Sequence, residues 1–168
     1  MSTRVVVLMG SQRDWDVMKE TGAELDRLGV DWTAHVSSAH RSLERTLTLV
    51  RDAEAGGTRV FVCGAGMAAH LAGVVAGATI RPVIGVPLPG GLSDGLDALL
   101  STVQMPGGVP VATVAVGKAG ARNAAVLAAQ ILALADESLA ARLRAGKLAQ
   151  AEAVGAADAE LFGPRRST

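Results

Sequence analysis

The chain has 168 residues, of which 49% are hydrophobic and 19% charged, so an intrinsically disordered protein is excluded and a core can be buried. Its 16 basic and 16 acidic side chains balance to a net charge of zero, which argues against proteins that bind nucleic acid or anionic membranes. Two tryptophans, two phenylalanines and no tyrosine argue against a stacking platform for single-stranded nucleic acid, and a single cysteine excludes an internal disulfide.

The first apolar run, RVVVLM at residues 4–9, is too short for a signal peptide or a transmembrane helix, and we expect a cytoplasmic location. Short apolar runs then alternate with helical spacings. The predicted strands are residues 4–9, 31–36, 59–63, 82–86 and 109–116. The predicted helices are residues 15–28, 43–53, a small-residue helix ending near 77, and residues 93–103, 123–134 and 137–161, with Ser93 and Asp94 as N-cap candidates.

This alternation predicts an α/β fold, a three-layer αβα sandwich with a doubly wound parallel sheet, flavodoxin-like or Rossmann-like. We expect a single domain over residues 1–168, with an α/β core at about 3–135 and a C-terminal helical extension at about 136–162. The extension is rich in alanine, and it either docks on a neighbouring subunit of a homo-oligomer or packs on its own sheet.

Ligands of parallel sheets bind beyond the carboxyl ends of the strands, where the first turn is residues 10–14. Gly10 allows close backbone approach, and the Ser11 hydroxyl beside free N–H groups suits a phosphate. Asp14 is acidic and fits ribose hydroxyls or a helix cap better. A plain N-cap turn is the alternative, since neither a P-loop nor a GxGxxG motif is present.

The second turn, residues 37–42, places His40 beside Arg41. An arginine clamps phosphate or carboxylate, and a histidine exchanges protons near neutral pH; a histidine without catalytic function is the alternative. The third turn, residues 64–70, is built of small residues that let the backbone close over a flat ligand, or it is only a tight crossover with a buried histidine. The loops at residues 85–91 and 104–108 are expected at the same rim.

The sequence contains no metal-ligand cluster, no paired carboxylates at a loop and no GxSxG motif. The remaining chemistry is proton transfer in an anion-binding pocket that takes a small phosphorylated metabolite.

These turns, in this order, resemble the class I 5-(carboxyamino)imidazole ribonucleotide mutases of purine biosynthesis, from residue 5 to about residue 135. The resemblance rests on VLMGSQRDW, SSAHR, CGAGMAAHLAG, PVIGVP and the long segment GLDALLSTVQMPGGVPVATVAVGKAGARNAAVLAAQIL. It implies an enzyme, usually a homo-octamer, that works without metal or other cofactor and binds a ribonucleotide and carbon dioxide. Such enzymes move a carboxylate from the exocyclic nitrogen to carbon 4 of the imidazole.

Position by position, the resemblance implies that His40 is the general acid/base. Substrate-binding positions for the ribose phosphate match Ser11, Asp14 and Arg41, with Ser38 beside them. The loop that covers the imidazole and the released carbon dioxide matches Gly64, Ala65, Gly66, Met67 and His70.

The chain departs from the family pattern at several of these positions. Arg13 stands where a small hydroxyl is usual, Ser42 and Leu43 follow Arg41 in place of Thr-Pro, and Met67 replaces a glycine of the loop. A proline and a serine of the family are replaced by Ala72 and Ala98.

Three hypotheses follow from the sequence. The first is the mutase reaction. The second is a diverged paralogue that carboxylates or decarboxylates a related aminoimidazole-type ribonucleotide, or a direct aminoimidazole ribonucleotide carboxylase. The third is a non-enzymatic nucleotide-binding protein, which would have no use for a proton-transferring His40.

Overall fold

The computed structural model describes residues 3–163. Its strands are β1 (Val5–Met9), β2 (Trp32–Val36), β3 (Val60–Ala65), β4 (Val83–Pro87) and β5 (Ala112–Thr113). Its α-helices are α1 (Trp15–Arg27), α2 (Leu43–Ala55), α3 (Leu71–Ala78), α4 (Leu96–Val103), α5 (Gly117–Ala133) and α6 (Glu137–Phe162). Two short 3-10 turns, Gln12–Asp14 and Leu92–Asp94, precede α1 and α4.

The five strands form one parallel sheet in the order β2-β1-β3-β4-β5. The chain winds outward in one direction from β1 to β2 and in the other from β3 to β5. This is the doubly wound topology that the alternation predicts, in its flavodoxin-like order, and its switch point lies between β1 and β3.

Both faces of the sheet are covered, so the central strands are apolar throughout. Alternate residues of β1 divide between the two layers: Val5 and Val7 pack among residues of α1 and α5. Val6 and Leu8 pack on the other side against α2 and α3. The predicted three-layer sandwich is confirmed, with the apolar core split between its two interfaces.

The last strand and the helix after it differ from their predicted bounds. The predicted strand at 109–116 pairs with β4 at only two positions, Ile84↔Ala112 and Gly85↔Thr113, because it lies at the edge of the sheet and Pro110 has no N–H to donate. Helix α5 begins at Gly117 rather than at 123. Two glycines in its first turn, Gly117 and Gly120, suggest a loop when only the sequence is considered. Gly120 is instead required within the helix, because a side chain there would overlap the Ala115 carbonyl.

The prediction that Ser93 and Asp94 cap a helix is wrong. Both residues have positive φ, at 47° and 52°, in the 3-10 turn before α4. Helix α4 starts after Gly95, whose φ of 107° suits a residue without Cβ. The Asp94 carboxylate instead accepts a hydrogen bond from the Gly90 amide at 3.1 Å and braces the loop after β4.

The C-terminal helix is attached only through its beginning. Asp136 caps it by accepting from the Leu139 amide at 3.0 Å, and it pairs with Arg4 at 2.8 Å. Leu139 is the one buried residue of α6, and Arg142 donates to the Leu28 carbonyl at 2.8 Å. Every residue from 147 to 162 is exposed, so the second half of the helical extension lies away from the sheet.

Candidate functional site

The strand register brings the three predicted turns to one edge of the sheet. Met9 at the end of β1 pairs with Val36 of β2 and with Gly64 of β3. Ala65 pairs in turn with Pro87 at the end of β4. The turns after these strands therefore start side by side, at the carboxyl edge where parallel sheets bind ligands.

The first turn is ordered by its own side chains. The Ser11 hydroxyl accepts a hydrogen bond from the Arg13 amide at 3.1 Å and caps the 3-10 turn. Asp14 is half-buried, and burial raises the pKa of its carboxyl above the ordinary value. The backbone N–H groups of Ser11 and Gly10 oppose this rise in pKa, as does the Arg41 guanidinium. The raised pKa follows from partial desolvation of the carboxyl, whose oxygens can accept hydrogen bonds from hydroxyl groups of a ligand.

The second turn uses Ser38 to aim Arg41. The Ser38 hydroxyl accepts from the Arg41 amide and from its Nε, each at 3.3 Å. Arg41 Nη2 also donates to the Gly10 carbonyl at 3.2 Å, which ties the second turn to the first. Ser42 holds the turn closed, since its hydroxyl donates to the Ser38 carbonyl at 2.9 Å. The guanidinium is thus pre-oriented at the edge of the sheet, as an anion clamp requires.

The second and third turns meet through a pair of histidines. Nε2 of His40 lies 2.8 Å from Nδ1 of His70, and the ring centroids are 4.9 Å apart at an interplanar angle of 81°. One ring must donate an N–H while the other accepts on a lone pair. His70 comes immediately before α3, and both rings are exposed. The hydrogen bond couples the tautomers of the two rings, because one of the two nitrogens must carry the proton that the other accepts.

The third turn carries Met67 on a backbone that favours glycine. Met67 has a φ of 56° and is 65% exposed. Gly64 lies earlier, inside β3, where an added Cβ would overlap Sδ of Met18. Its role in the structure is close packing of the strand on α1, which positions the loop after it.

Together the turns surround a cavity of about 650 Å³, a typical size for a small-molecule site. Of the ten residues predicted for the site, nine line it: Ser11, Asp14, Ser38, His40, Arg41, Ala65, Gly66, Met67 and His70. Gly64 does not line it. The cavity also takes in residues that the sequence analysis did not assign to the substrate: Gly10, Arg13, Val17, Ala39, Ala68, Leu71, Leu88, Pro89, Gly90 and Gly91.

Some of these additional residues were predictable and others were not. Residues 88–91 belong to the loop that was expected at this rim, and that expectation is confirmed. The loop at 104–108 is also expected there, but none of its residues lines the cavity. It lies against α3 instead, where a Cβ added to Gly73 would come within 3.2 Å of the sulfur of Met105. Val17 and Leu71 sit in the first turns of helices, where the sequence pattern does not distinguish a cavity wall from the core.

Four of the departures from the family pattern divide into two kinds. Arg13 and Met67 line the cavity and therefore bear on what it binds. Ala72 and Ala98 are 2% and 0% exposed and belong to the packed interior. Ala72 packs close to the backbone of β4, since its Cβ would lie 3.4 Å from a Cβ added to Gly85. The substitutions at these two positions change packing, not the cavity wall.

The charges of the wall favour an anionic ligand. Two guanidinium groups, those of Arg13 and Arg41, line the cavity with one carboxylate, that of Asp14. A phosphate suits the two arginines, and a group that gains and loses protons suits the pair of histidines.

Two further observations concern the whole described chain. Among residues 3–163, no three His, Cys, Asp or Glu side chains are grouped so that they could hold a metal ion. None of the helices within this range combines the length and apolar composition needed to cross a bilayer.

Comparison with known proteins points to one family. The family model described as AIR carboxylase matches residues 4–153. The chain is 49% identical over 154 residues to the N5-carboxyaminoimidazole ribonucleotide mutase of Brucella melitensis, covering 92% of this chain and 95% of that protein. It is 51% identical over 158 residues to the protein of the same name from Mycobacterium tuberculosis, with 94% and 90% covered.

A solved structure supports the same comparison. The crystal structure of Treponema denticola PurE superposes with a TM-score of 0.87 at 28% sequence identity, covering 94% of this chain and 98% of that one. The likeness extends over almost the full length of both chains, and it includes the sheet that positions the cavity.

Proposed function

The chain belongs to the AIR carboxylase family, and we infer that it is an N5-carboxyaminoimidazole ribonucleotide mutase of purine biosynthesis. The observation that carries this conclusion is the identity of about one half with mutases over some nine-tenths of the chain. The cavity agrees in chemistry, since it offers guanidinium groups for a phosphate and a histidine pair for proton transfer.

The reaction divides into two half-steps. In the first, the bond between the exocyclic nitrogen and its carboxylate breaks, carbon dioxide leaves, and the nitrogen keeps the electron pair and takes a proton. In the second, carbon 4 of the aminoimidazole attacks the carbon dioxide and forms a new carbon–carbon bond. The hydrogen on carbon 4 then leaves as a proton. One proton is taken up and one is released, so a single acid/base group serves both half-steps.

We propose His40 as that group. Its ring faces the cavity and shares a hydrogen bond with His70. When both rings are neutral, one N–H lies between them, so the tautomer of His40 determines that of His70. A proton delivered to or taken from the substrate shifts this arrangement without requiring water to enter. His70 thus acts as a positioning group for His40 as well as a wall of the site.

The remaining cavity residues are proposed to bind and orient the substrate. Ser11 and Arg41 hold the phosphate, Asp14 receives ribose hydroxyls, and Ser38 acts by orienting the Arg41 guanidinium. The loop residues Ala65, Gly66 and Met67 cover the imidazole and the carbon dioxide. Gly64 contributes through packing, because it allows β3 to approach Met18.

We further propose that the enzyme is cytoplasmic and works as a homo-oligomer, an octamer as in the family it resembles. The observation behind the assembly is the exposed second half of α6, which carries Leu148, Val154, Leu161 and Phe162 at exposures from 65% to 79%. A helix without tertiary packing has little stability of its own, and a second copy would supply that packing. Size-exclusion chromatography with light scattering measures the subunit count directly.

The function is tested by comparing two substrates without ATP. With N5-carboxyaminoimidazole ribonucleotide, the enzyme is expected to form the carbon-4 carboxylate at low carbon dioxide concentration. With 5-aminoimidazole ribonucleotide and bicarbonate, it is expected to be much slower. The reverse preference would identify a direct carboxylase, and no conversion of either substrate by the folded oligomer would overturn the proposal.

A further inference from the structure

The turn between β2 and α2 carries His40 and Arg41, and both of its ends meet one buried side chain. Ser37 is the first residue after β2, and Ser42 is the last residue before α2. Thr46 is the fourth residue of α2 and is 0% exposed. The two functional side chains of the turn therefore stand between two residues that Thr46 contacts.

The Thr46 hydroxyl makes a hydrogen bond to each end of this turn. Its Oγ1 lies 2.8 Å from Oγ of Ser37, and it donates to the Ser42 carbonyl at 3.3 Å. A hydroxyl has a single hydrogen to donate. When Thr46 donates to Ser42, Ser37 is therefore the donor of the shorter bond, and the two bonds run in one direction from Ser37 through Thr46 to Ser42.

Ser42 passes this restraint on to residues that line the cavity. Its hydroxyl donates to the Ser38 carbonyl at 2.9 Å and accepts from the Ser38 amide at 3.2 Å. The Ser38 hydroxyl accepts in turn from the amide and Nε of Arg41. Ser42 stands at the N-cap of α2 but makes no side-chain hydrogen bond to the helix, so its hydroxyl serves the turn instead. The Arg41 guanidinium is thereby linked to the buried hydroxyl of Thr46.

Stability alone does not account for this pair of buried hydroxyls. Ser37 is 1% exposed and Thr46 0%, and two apolar side chains of the same shape would fill their places with little change in stability. A threonine that only bonds back to the carbonyl four residues earlier is common in helices, but that habit leaves the bond to Ser37 unexplained. What the pair supplies is direction, because a hydrogen bond restrains both distance and angle.

The start of α2 has a particular need for such a restraint. Leu43 is its first residue and stands where the family pattern has a proline, so φ at this position is not fixed by a ring. The Leu43 side chain is 45% exposed and packs too little to hold the turn by itself. The hydroxyl pair restrains the same turn from the buried side.

We propose that Thr46 is a positioning residue of the mutase reaction, whose hydroxyl, with that of Ser37, holds the turn so that His40 and Arg41 reach the substrate together. The inference rests on the proposed mutase function. Thr46 is not among the residues that line the cavity, so it acts through the turn. Because the turn carries both the acid/base and the phosphate clamp, loss of the hydroxyl pair is expected to lower kcat and raise KM together.

A double substitution separates positioning from stability. Ser37→Ala/Thr46→Val removes both hydroxyls, and the Ser42 carbonyl still accepts from the Thr46 backbone amide. Tm is expected to stay within about 2 °C of that of the unsubstituted enzyme. Steady-state kinetics is expected to show a fall in kcat/KM of about tenfold, the effect of one lost hydrogen bond, shared between kcat and KM.

The single substitution Thr46→Val is expected to behave differently from the double one. It leaves the Ser37 hydroxyl buried without the partner that it has in the structure. Tm is therefore expected to fall by about 3–8 °C, and adding Ser37→Ala is expected to restore Tm without restoring kcat/KM. Recovery of kcat/KM along with Tm would show that the pair serves stability only, and would overturn the proposal.

Two variants are matched controls for the kinetics. Thr46→Ser keeps the hydroxyl and is expected to keep kcat/KM within about twofold. Thr102→Val removes another buried threonine hydroxyl, which donates to the Ala98 carbonyl at 2.7 Å in α4, and Thr102 does not line the cavity. Its kcat/KM is expected to stay unchanged. A loss as large as that of the double variant would mean that any buried threonine matters equally, which would contradict a specific role for Thr46.

Amide hydrogen exchange measures the order of the turn without any substrate. The Ser42 amide donates to Ser38 at 2.8 Å, and the Thr46 amide donates to Ser42 at 3.1 Å. In Ser37→Ala/Thr46→Val, a peptide over residues 37–46 is expected to exchange about tenfold faster, whereas a peptide over α3 keeps its rate.

The two readouts distinguish failure of this inference from failure of the proposed function. Unchanged exchange over residues 37–46, or unchanged kcat/KM in the double variant, would overturn the positioning role and leave the mutase function standing. If the unsubstituted enzyme converts no substrate, the mutase function falls and the positioning role in that reaction falls with it, whereas the exchange rates still decide whether Thr46 holds the turn.

Discussion

Nε2 of His40 and Nδ1 of His70 are 2.8 Å apart, on turns that follow two different strands of the sheet. The two residues are separated by 30 positions in the chain, and the sheet register brings them together because β2 and β3 both flank β1. The contact orders two rings that would each be mobile on an isolated loop.

The histidine contact predicts distinct effects for two variants of His70. His70→Ala removes the partner of His40, and kcat is expected to fall about 10- to 100-fold with little change in KM. His70→Asn places an amide oxygen near the position of Nδ1 and is expected to restore most of this loss. Steady-state kinetics on both variants checks the prediction, and equal losses would show that the hydrogen bond to His40 is not what matters.

Ser38 is predicted to act through Arg41 and not by direct chemistry. Ser38→Ala removes the hydroxyl that accepts from the Arg41 amide and Nε, leaving the guanidinium held by the Gly10 carbonyl. KM is expected to rise about tenfold with kcat unchanged, because a misaligned arginine weakens substrate binding. Ser38→Thr keeps the hydroxyl and is the matched control. A fall in kcat alone would contradict this role.

Gly64 and Gly66 are predicted to differ, although they lie two positions apart. A Cβ on Gly64 would overlap Sδ and Cγ of Met18 in the core, so Gly64→Ala is expected to lower the free energy of unfolding by about 1–3 kcal/mol. A Cβ on Gly66 would have its nearest neighbour, Cβ of Leu88, at 3.8 Å. Gly66→Ala is expected to stay within about 0.5 kcal/mol. Urea unfolding compares the two, and equal stabilities would refute the packing role of Gly64.

Asp136 is predicted to make stability depend on acid pH. Its hydrogen bond with Arg4, and those from the Leu139 amide and the Ser138 hydroxyl, hold the pKa of the carboxyl well below its ordinary value of 3.8. Because the pKa is lower in the folded state than in the unfolded state, this stabilisation is fully present above the ordinary pKa. It is lost as the pH falls towards the folded-state pKa.

Asp136→Asn is therefore expected to lower Tm at pH 7 by more than it does at pH 3. Thermal unfolding followed by circular dichroism at several pH values measures the difference. Glu152→Gln, in the exposed second half of α6, is the matched charge-removing control and is expected to have little effect. A Tm difference that does not change with pH would contradict the ion-pair account.

Much of the fold follows from local patterns in the sequence. The apolar runs of β1 and β3 are buried on both faces, as their short length and richness in valine predict. The bounds of β5 could not be predicted, because pairing at a sheet edge depends on the neighbouring strand. The start of α5 also differs from the prediction. Gly120 is required by the close approach of the Ala115 carbonyl just before the helix, a local contact that the hydrophobic pattern does not display.

The sequence predicts those residues of the candidate site whose side chains carry chemistry by themselves, as His40 and Arg41 do. The contact of His40 with His70 depends on the strand order, and the orienting role of Ser38 depends on a rotamer, so neither could be derived from spacing. Gly64 illustrates the opposite case, because a glycine in a loop motif suggests backbone approach to a ligand, whereas its contact is with Met18 in the core.

The most direct measurement of the mechanism compares His40→Asn with the unsubstituted enzyme. Product formation from N5-carboxyaminoimidazole ribonucleotide is followed without ATP, and product affinity is measured by calorimetry on the same preparations. His40→Asn is expected to lose about 10³-fold in kcat, the range of general acid/base catalysis, while its affinity for product stays within about twofold. Turnover of His40→Asn at the rate of the unsubstituted enzyme would contradict the assignment of His40 as the acid/base.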